Sequence, residues 1–335
     1  MENTEEYLKP LPEGSTLCIY NGNSLVFKSS GKWLMPLFEA EKFFESYKGM
    51  KDDLRAHDTA IGKAAAVLMV RLGIKKIHGN LFSSLAMDYL KKEGIPFFYD
   101  NMVDRLMCAT EDLLSSVSDI DEMYRILRCR ARLVQGVPVE AREISSEYGN
   151  VRHLSFKLDA GDRLVVSGEN GAGKSTLLRI LSGILKCKEG SVLIDGIPVE
   201  KCPKYTIGYI PQATDRTQFS LSVEEVVGLG LTCRGKERKE KITEALRRTS
   251  SLNLLGRSFD SLSGGEKQKV SLSRCLAQNA RLLLLDEPTA ALDAENRKMV
   301  TDILRSLTIS EIPTIILVTH DSELSNLAGW KKITL

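Results

Sequence analysis

Nine residues, Gly168-Glu169-Asn170-Gly171-Ala172-Gly173-Lys174-Ser175-Thr176, fit the pattern G-x-x-x-x-G-K-[ST] and restrict this chain more than any other stretch. Before them lies the short apolar run Arg163-Leu164-Val165-Val166-Ser167, and after them Leu177, Leu178, Ile180, Leu181 and Ile184 recur at helical spacing. Strand, glycine loop and helix in that order aim backbone N–H groups and a helix N-terminus at an anion. Lys174 is then placed to reach the β- and γ-phosphates of a nucleotide, and Ser175 to bind Mg2+.

The length, 335 residues, suits two domains, each able to bury its own core. With 43% hydrophobic and 27% charged residues the composition is that of a soluble globular protein, and a net charge of +2 offers no bulk attraction to nucleic acid or to an anionic membrane. No apolar run approaches the ~20 residues of a membrane-spanning helix. The acidic start Met1-Glu2-Asn3-Thr4-Glu5-Glu6 is unlike a signal peptide, so a cytoplasmic location is expected. The 7 cysteines are scattered without a C-x-x-C pair, which argues for reduced thiols rather than a disulfide framework or a zinc site.

The first part of the chain reads as a small α/β domain. Asn21-Gly22-Asn23 between Thr16–Tyr20 and Ser24–Lys28 predicts a β-hairpin. Pro36 suits the first turn of a helix carrying Leu37, Phe38, Phe43 and Phe44. A second helix is expected to start near Asp58, a third to run from about Leu81 to Lys92, and the short strand Pro96–Tyr99 and a helix after Cys108 to follow. Asp119 to Val134 reads as a helix with Met123, Ile126, Leu127 and Val134 on its apolar stripe and Arg125, Arg128, Arg130 and Arg132 on a solvated face. Gln135-Gly136-Val137-Pro138 supplies the breakers of a linker, so the domains are expected to span 1–135 and 136–335.

On the opening hairpin, the segment Asp58–Ala66 and the Asn101–Glu111 stretch, residues 8–118 resemble a family of small prokaryotic domains of unknown function with the cytidine-deaminase-like fold. Deamination in that fold needs a zinc held by a His or Cys and a C-x-x-C pair, with a glutamate two places after the first ligand. Here Thr59 stands two places after His57, and Cys108 is alone. No deaminase activity is therefore expected. Asp58, Lys63, Asn101, Cys108 and Glu111 are candidates to line a pocket for a small-molecule ligand; as a helix cap, a solvated lysine, a turn residue and a buried thiol they would be structural.

In the second half, Val139 to Ile144 reads as a strand, and Tyr148 lies on a loop that could bring its ring to a nucleotide base. Gly208-Tyr209-Ile210-Pro211-Gln212 ends another strand on a polar amide. Leu262-Ser263-Gly264-Gly265-Glu266 opens a helix and so offers a second anion-binding helix start. The run Leu282–Leu285 suits a buried parallel strand and delivers Asp286 and Glu287 to the C-terminal edge of the sheet. There Asp286 can hold Mg2+ and Glu287 can orient or deprotonate the attacking water. The strand Thr314–Thr319 brings His320 to the same edge.

These motifs together resemble an ATP-binding-cassette (ABC) ATPase domain, a P-loop NTPase with a helical subdomain, over residues 139–335. The resemblance implies a Walker A loop at Gly168–Thr176, a glutamine loop at Gln212 that also meets Mg2+, and a signature at Ser263, Gly264, Gly265 and Glu266. It further implies catalytic Glu287, a dimer loop at Asp293 and a switch His320. In that family two domains pair head to tail, so that Ser263 and Gly265 of one protomer close over ATP held by Lys174 of the other. ATP and Mg2+ as ligands, a homodimer or a second ABC ATPase, and an integral membrane permease with no nucleic acid follow as expected partners. The stretch Asp215–Gly230 is similar to the branch that serves importers of metals and metal chelates. The competing expectation is a soluble ABC ATPase that acts on a protein or nucleic-acid assembly.

Overall fold

The structure, a computed structural model, describes residues 5–147, 150–203, 205–212, 221–290, 292–326 and 329–335. The chain divides into two compact units with the break between Leu133 and Val134.

In the first unit, Gly22 at φ +61° turns β1 (Leu17–Asn21) back as β2 (Ser24–Ser29). β3 (Leu54–Ile61), β4 (Lys76–Ser83) and β5 (Phe97–Val103) complete a sheet of order β2-β1-β3-β4-β5. β1 runs antiparallel to its neighbours, whereas β3, β4 and β5 are parallel and need crossovers. α2 (Lys63–Arg71) and α3 (Ser84–Lys92) supply them, and α1 (Met35–Ser46), with Pro36 in its first turn, α4 (Ala109–Leu114) and α5 (Ile120–Arg130) complete the unit.

Four expectations shift here. Asp58 does not start a helix but lies inside β3, which pairs on both sides, and the two ladders override the local preference. α2 starts at Lys63 behind the cap residue Gly62. Leu81, Phe82 and Ser83 belong to β4 because they pair with Asn101, Met102 and Val103; Ser83 then caps α3 by accepting the Ala86 amide at 3.2 Å. α5 stops at Arg130, and Arg132 at φ +56° turns the chain out of the helix. Its arginine face is not simply solvated, since Arg125 is buried and paired with Glu122 at 2.8 Å.

The second unit begins before the expected linker ends. Gln135 and Gly136 donate to the Glu311 and Ile312 carbonyls, and the buried Thr314 hydroxyl donates to Val137 O at 2.6 Å. A Cβ on Gly136 would come within 2.5 Å of the Gly161 nitrogen, so only glycine passes there.

Its framework is two sheets. β6 (Val139–Ser145), β7 (Leu154–Leu158), β9 (Glu189–Ile194) and β10 (Ile197–Pro198) are antiparallel, in the order β10-β9-β6-β7. β8 (Arg163–Ser167), β11 (Ile207–Ile210), β12 (Leu282–Asp286), β13 (Thr314–Val318) and β14 (Lys331–Thr334) are parallel, in the order β11-β12-β13-β8-β14. α6 (Lys174–Leu181) packs Leu177, Leu178, Ile180 and Leu181 into a core shared with both sheets. α9 (Gly264–Ala277) and α10 (Ala294–Ser310) cover the other face of the parallel sheet. The leucines of β12 alternate between these cores, Leu282 and Leu284 to one and Leu283 and Leu285 to the other. At about 1.5–3 kcal/mol per buried leucine side chain, β12 anchors the edge from which Asp286 and Glu287 emerge. α7 (Val223–Gly228) and α8 (Gly235–Arg248) pack on α9 as a helical subdomain, and α11 (Ser322–Ser325) precedes β14.

Candidate functional site

The chain between β8 and α6 can only close with glycine. Gly168, Gly171 and Gly173 adopt φ of +147°, +84° and +100°. A Cβ on Gly168 would stand 2.8 Å from the Leu335 carbonyl, and one on Gly173 would stand 3.0 Å from Val151. Within the loop Ala172 N donates to Glu169 O at 3.2 Å, and Asn150 donates to Gly171 O at 3.3 Å. Lys174, the first residue of α6, is buried and donates from Nζ to the Gly168 and Glu169 carbonyls at 2.8 and 2.9 Å. Its ammonium is thus held across the mouth of the loop.

A cleft of about 710 Å³ opens over this loop. Its walls include Asn170, Gly171, Gly173, Lys174, Ser175, Thr176, Gln212, Asp286, Glu287 and His320, bringing together residues from four segments of the sequence. Asp286 is 3% exposed, and burial pushes its carboxyl up while the neighbouring Ser175 hydroxyl and the charges of Arg179 and Lys174 pull it down. Its Oδ1 is buried and has no hydrogen-bond partner among the described residues. A buried, half-paired carboxylate beside a hydroxyl suits a hard divalent cation.

Glu287 adopts φ +47°, a left-handed conformation that costs a non-glycine residue about 1–3 kcal/mol. The strain is held by its amide, which donates to Val318 O at 2.9 Å. The carboxylate meets His320, whose backbone amide donates to Oε2 at 3.2 Å and whose Nε2 lies 3.5 Å from Oε1. Thr289, Arg297 and Asp321 also line the cleft, although they carry no motif in the sequence. Tyr148 lies outside the described residues, as do positions 215–220 of the Asp215–Gly230 stretch.

The signature residues sit elsewhere. Ser263 caps α9 in a reciprocal box with Glu266, its backbone amide donating to Glu266 Oε2 at 2.8 Å. Neither Ser263, Gly264, Gly265 nor Glu266 is among the walls of the cleft. Gly264 has open space around its α-carbon, whereas a Cβ on Gly265 would strike the Asn296 side chain at 2.6 Å. Asn296 is in turn bound by Asp293, which caps α10 by accepting the Asn296 amide at 2.8 Å. The start of the signature helix therefore rests against the start of α10.

In the first unit Lys63 and Glu111 come together, but as structure. Glu111 is 2% exposed and accepts from Lys63 N at 3.0 Å, Leu106 N at 2.8 Å and the Ser83 hydroxyl. It thereby satisfies the start of α2 and the residue that caps α3. The Lys63 ammonium donates to the Leu114 and Val117 carbonyls and closes the end of α4. Asp58 accepts the Ala60 amide two residues along its own strand at 3.1 Å. Asn101 is exposed on β5 and reaches Asn80 O at 3.4 Å. Cys108 precedes α4 with its thiol on Thr110 at 3.1 Å. Of the five, Lys63 lines a cleft of about 290 Å³, together with Tyr89 and Lys92. A Cβ on Gly62 would meet Glu111 Oε1 at 2.7 Å. Gly62→Ala should therefore destabilise this unit by about 1–3 kcal/mol, seen as faster amide exchange throughout α2 and α3; unchanged exchange would contradict the tight fit.

Comparison with known proteins agrees with this geometry. The family model described as ABC transporter matches residues 151–290, and that of a domain of unknown function (DUF1893) matches residues 7–130. The zinc uptake system ATP-binding protein ZurA of Listeria innocua is 34% identical over 196 residues, 55% of this chain and 76% of that protein. The hemin import ATP-binding protein HmuV of Streptomyces coelicolor is 39% identical over 214 residues, 58% of this chain and 76% of that protein. A solved dimeric cassette in a post-hydrolysis state bound to ADP and Pi superposes with a TM-score of 0.53 at 26% identity, covering 59% of this chain and 94% of the other. Among the described residues no helix is long and apolar enough to cross a membrane. The chain belongs to the ABC transporter family, as an ATP-binding and ATP-hydrolysing subunit.

Proposed function

We propose that this chain is the motor of a membrane importer for metal ions or metal chelates, in which two ATPase units pair head to tail around two ATP molecules. The separation of the two anion-binding helix starts carries this reading. Lys174 and Ser175 open α6 inside the cleft, whereas Ser263 opens α9 outside it. The second helix start then serves the nucleotide of a second copy, covering the γ-phosphate with backbone N–H groups and the positive end of a helix. The dimeric cassette supports the pairing, and the zinc and hemin relatives support the class of cargo.

Within each half-site, Lys174 binds the phosphates, and Gln212 lines the same cleft. The unpartnered Asp286 Oδ1 and the Ser175 hydroxyl fit Mg2+, which when bound would offset phosphate charge. Glu287 accepts the proton of the attacking water, and His320 donates to the γ-phosphate. Tighter binding of ATP than of ADP to the paired state makes hydrolysis the release step. The chain would work in the cytoplasm, at the inner face of the membrane beneath an integral permease.

The first unit is read as a regulatory domain of the cytidine-deaminase-like fold without deaminase chemistry. Glu111, sealed between the starts of α2 and α3, supports a structural use of that region. Affinity capture of the Glu287→Gln chain with ATP, from membranes and from cytosol, tests the transport reading. Enrichment of an integral membrane protein is the expected result; recovery only of soluble assemblies or RNA would overturn it.

A further inference from the structure

Asp321 follows His320 directly, and its carboxylate joins segments that are far apart in sequence. Oδ1 accepts the Glu323 amide at 2.9 Å at the start of α11. Oδ2 accepts the Thr289 hydroxyl at 3.2 Å and lies 3.7 Å from Arg297 Nε. Thr289 is 3% exposed, just beyond Glu287. Arg297, in α10, also donates to the Leu292 carbonyl at 3.4 Å. On the other side of His320, the Asp321 amide donates to Thr319 Oγ1 at 3.0 Å. The carboxylate thus ties the chain just after His320 to Thr289 and Arg297, while the Asp321 backbone amide holds the flank before it through Thr319.

His320 needs such a tether. Its side chain is 52% exposed, so packing alone does not hold it, while its contacts with Glu287 depend on where its own backbone lies. We propose that Asp321 is a positioning residue for ATP hydrolysis, holding His320 in register with Glu287 and Thr289. This rests on the paired-ATPase reading given above. Asp321 needs no contact with phosphate; it acts through His320, and its partners Thr289 and Arg297 link that placement to the start of α10, against which the signature helix rests.

The test uses the full chain and measures kcat and KM for ATP in Asp321→Ala and Asp321→Asn, and for Asp321→Ala in a His320→Ala background. Asp321→Ala should lower kcat about 10- to 100-fold, as a misplaced catalytic group does, with KM changed less than about threefold. Asp321→Asn, which keeps one oxygen for the Glu323 amide and turns its NH2 to the Thr289 hydroxyl, which can accept from it, should recover much of the loss. In the His320→Ala background the further loss should be under about twofold, because both changes act through one group. Parent kcat in Asp321→Ala, a change confined to KM, or an equal loss with and without His320 would each overturn the proposal. Should Asp321→Ala not fold, Thr289→Val and Arg297→Gln read in the same way decide it. A parent chain that hydrolyses ATP without pairing would instead contradict the paired reading, and the kcat comparisons would still judge Asp321.

Discussion

Glu287→Gln is expected to lower ATP turnover by a factor of about 100 to 10,000 while leaving ATP binding intact, because only the proton acceptor is removed. Glutamine has the same length and keeps an oxygen for the His320 amide, now 3.2 Å from Glu287 Oε2. The left-handed backbone at φ +47° and its hydrogen bond to Val318 O do not depend on the charge. The cleft should therefore keep its shape and its affinity for phosphate through Lys174. Phosphate release in the steady state reads the loss, and fluorescence of a bound nucleotide analogue reads the retained affinity. Turnover within about threefold of the parent would show that Glu287 does not accept the proton.

Ser263→Arg is expected to prevent pairing and to lower turnover at least about tenfold, although no wall of the ATP cleft is altered. Two effects must be separated. Arginine removes the cap of α9, worth about 1 kcal/mol, and places a positive charge at the positive end of the helix, worth about 0.3–1 kcal/mol. Losses of that size loosen the start of α9 but are small beside the stability of a domain. They leave Lys174, Ser175 and Asp286 untouched, so one chain should still bind ATP. What the substitution blocks is the approach of a second chain's nucleotide to the Ser263 and Gly265 amides.

Much of this site is legible in the amino-acid order because its residues have needs that are local. Three glycines with positive φ, a lysine and a serine at a helix start, and four leucines buried on both faces of a sheet leave a pattern in neighbouring positions. What is not legible depends on partners distant in the chain. Asp58 looks like a helix cap until the ladders on either side of β3 claim it. Glu111 looks like a pocket residue until Lys63 N, Leu106 N and Ser83 satisfy it. Asp321, Thr289 and Arg297 meet only once β12 and β13 lie side by side. The place of Gln135 and Gly136 inside the second unit likewise depends on Glu311, Ile312 and Thr314, from the far end of the domain.

The central claim is that each ATP site is completed by a second chain. Sedimentation velocity of the Glu287→Gln chain, with and without the added Ser263→Arg substitution, tests it at saturating ATP and Mg2+. The expected result is an ATP-dependent dimer for Glu287→Gln and a monomer that still binds ATP for the double variant. Equal dimerisation of both variants, or a Glu287→Gln chain that remains monomeric with ATP bound, would contradict it.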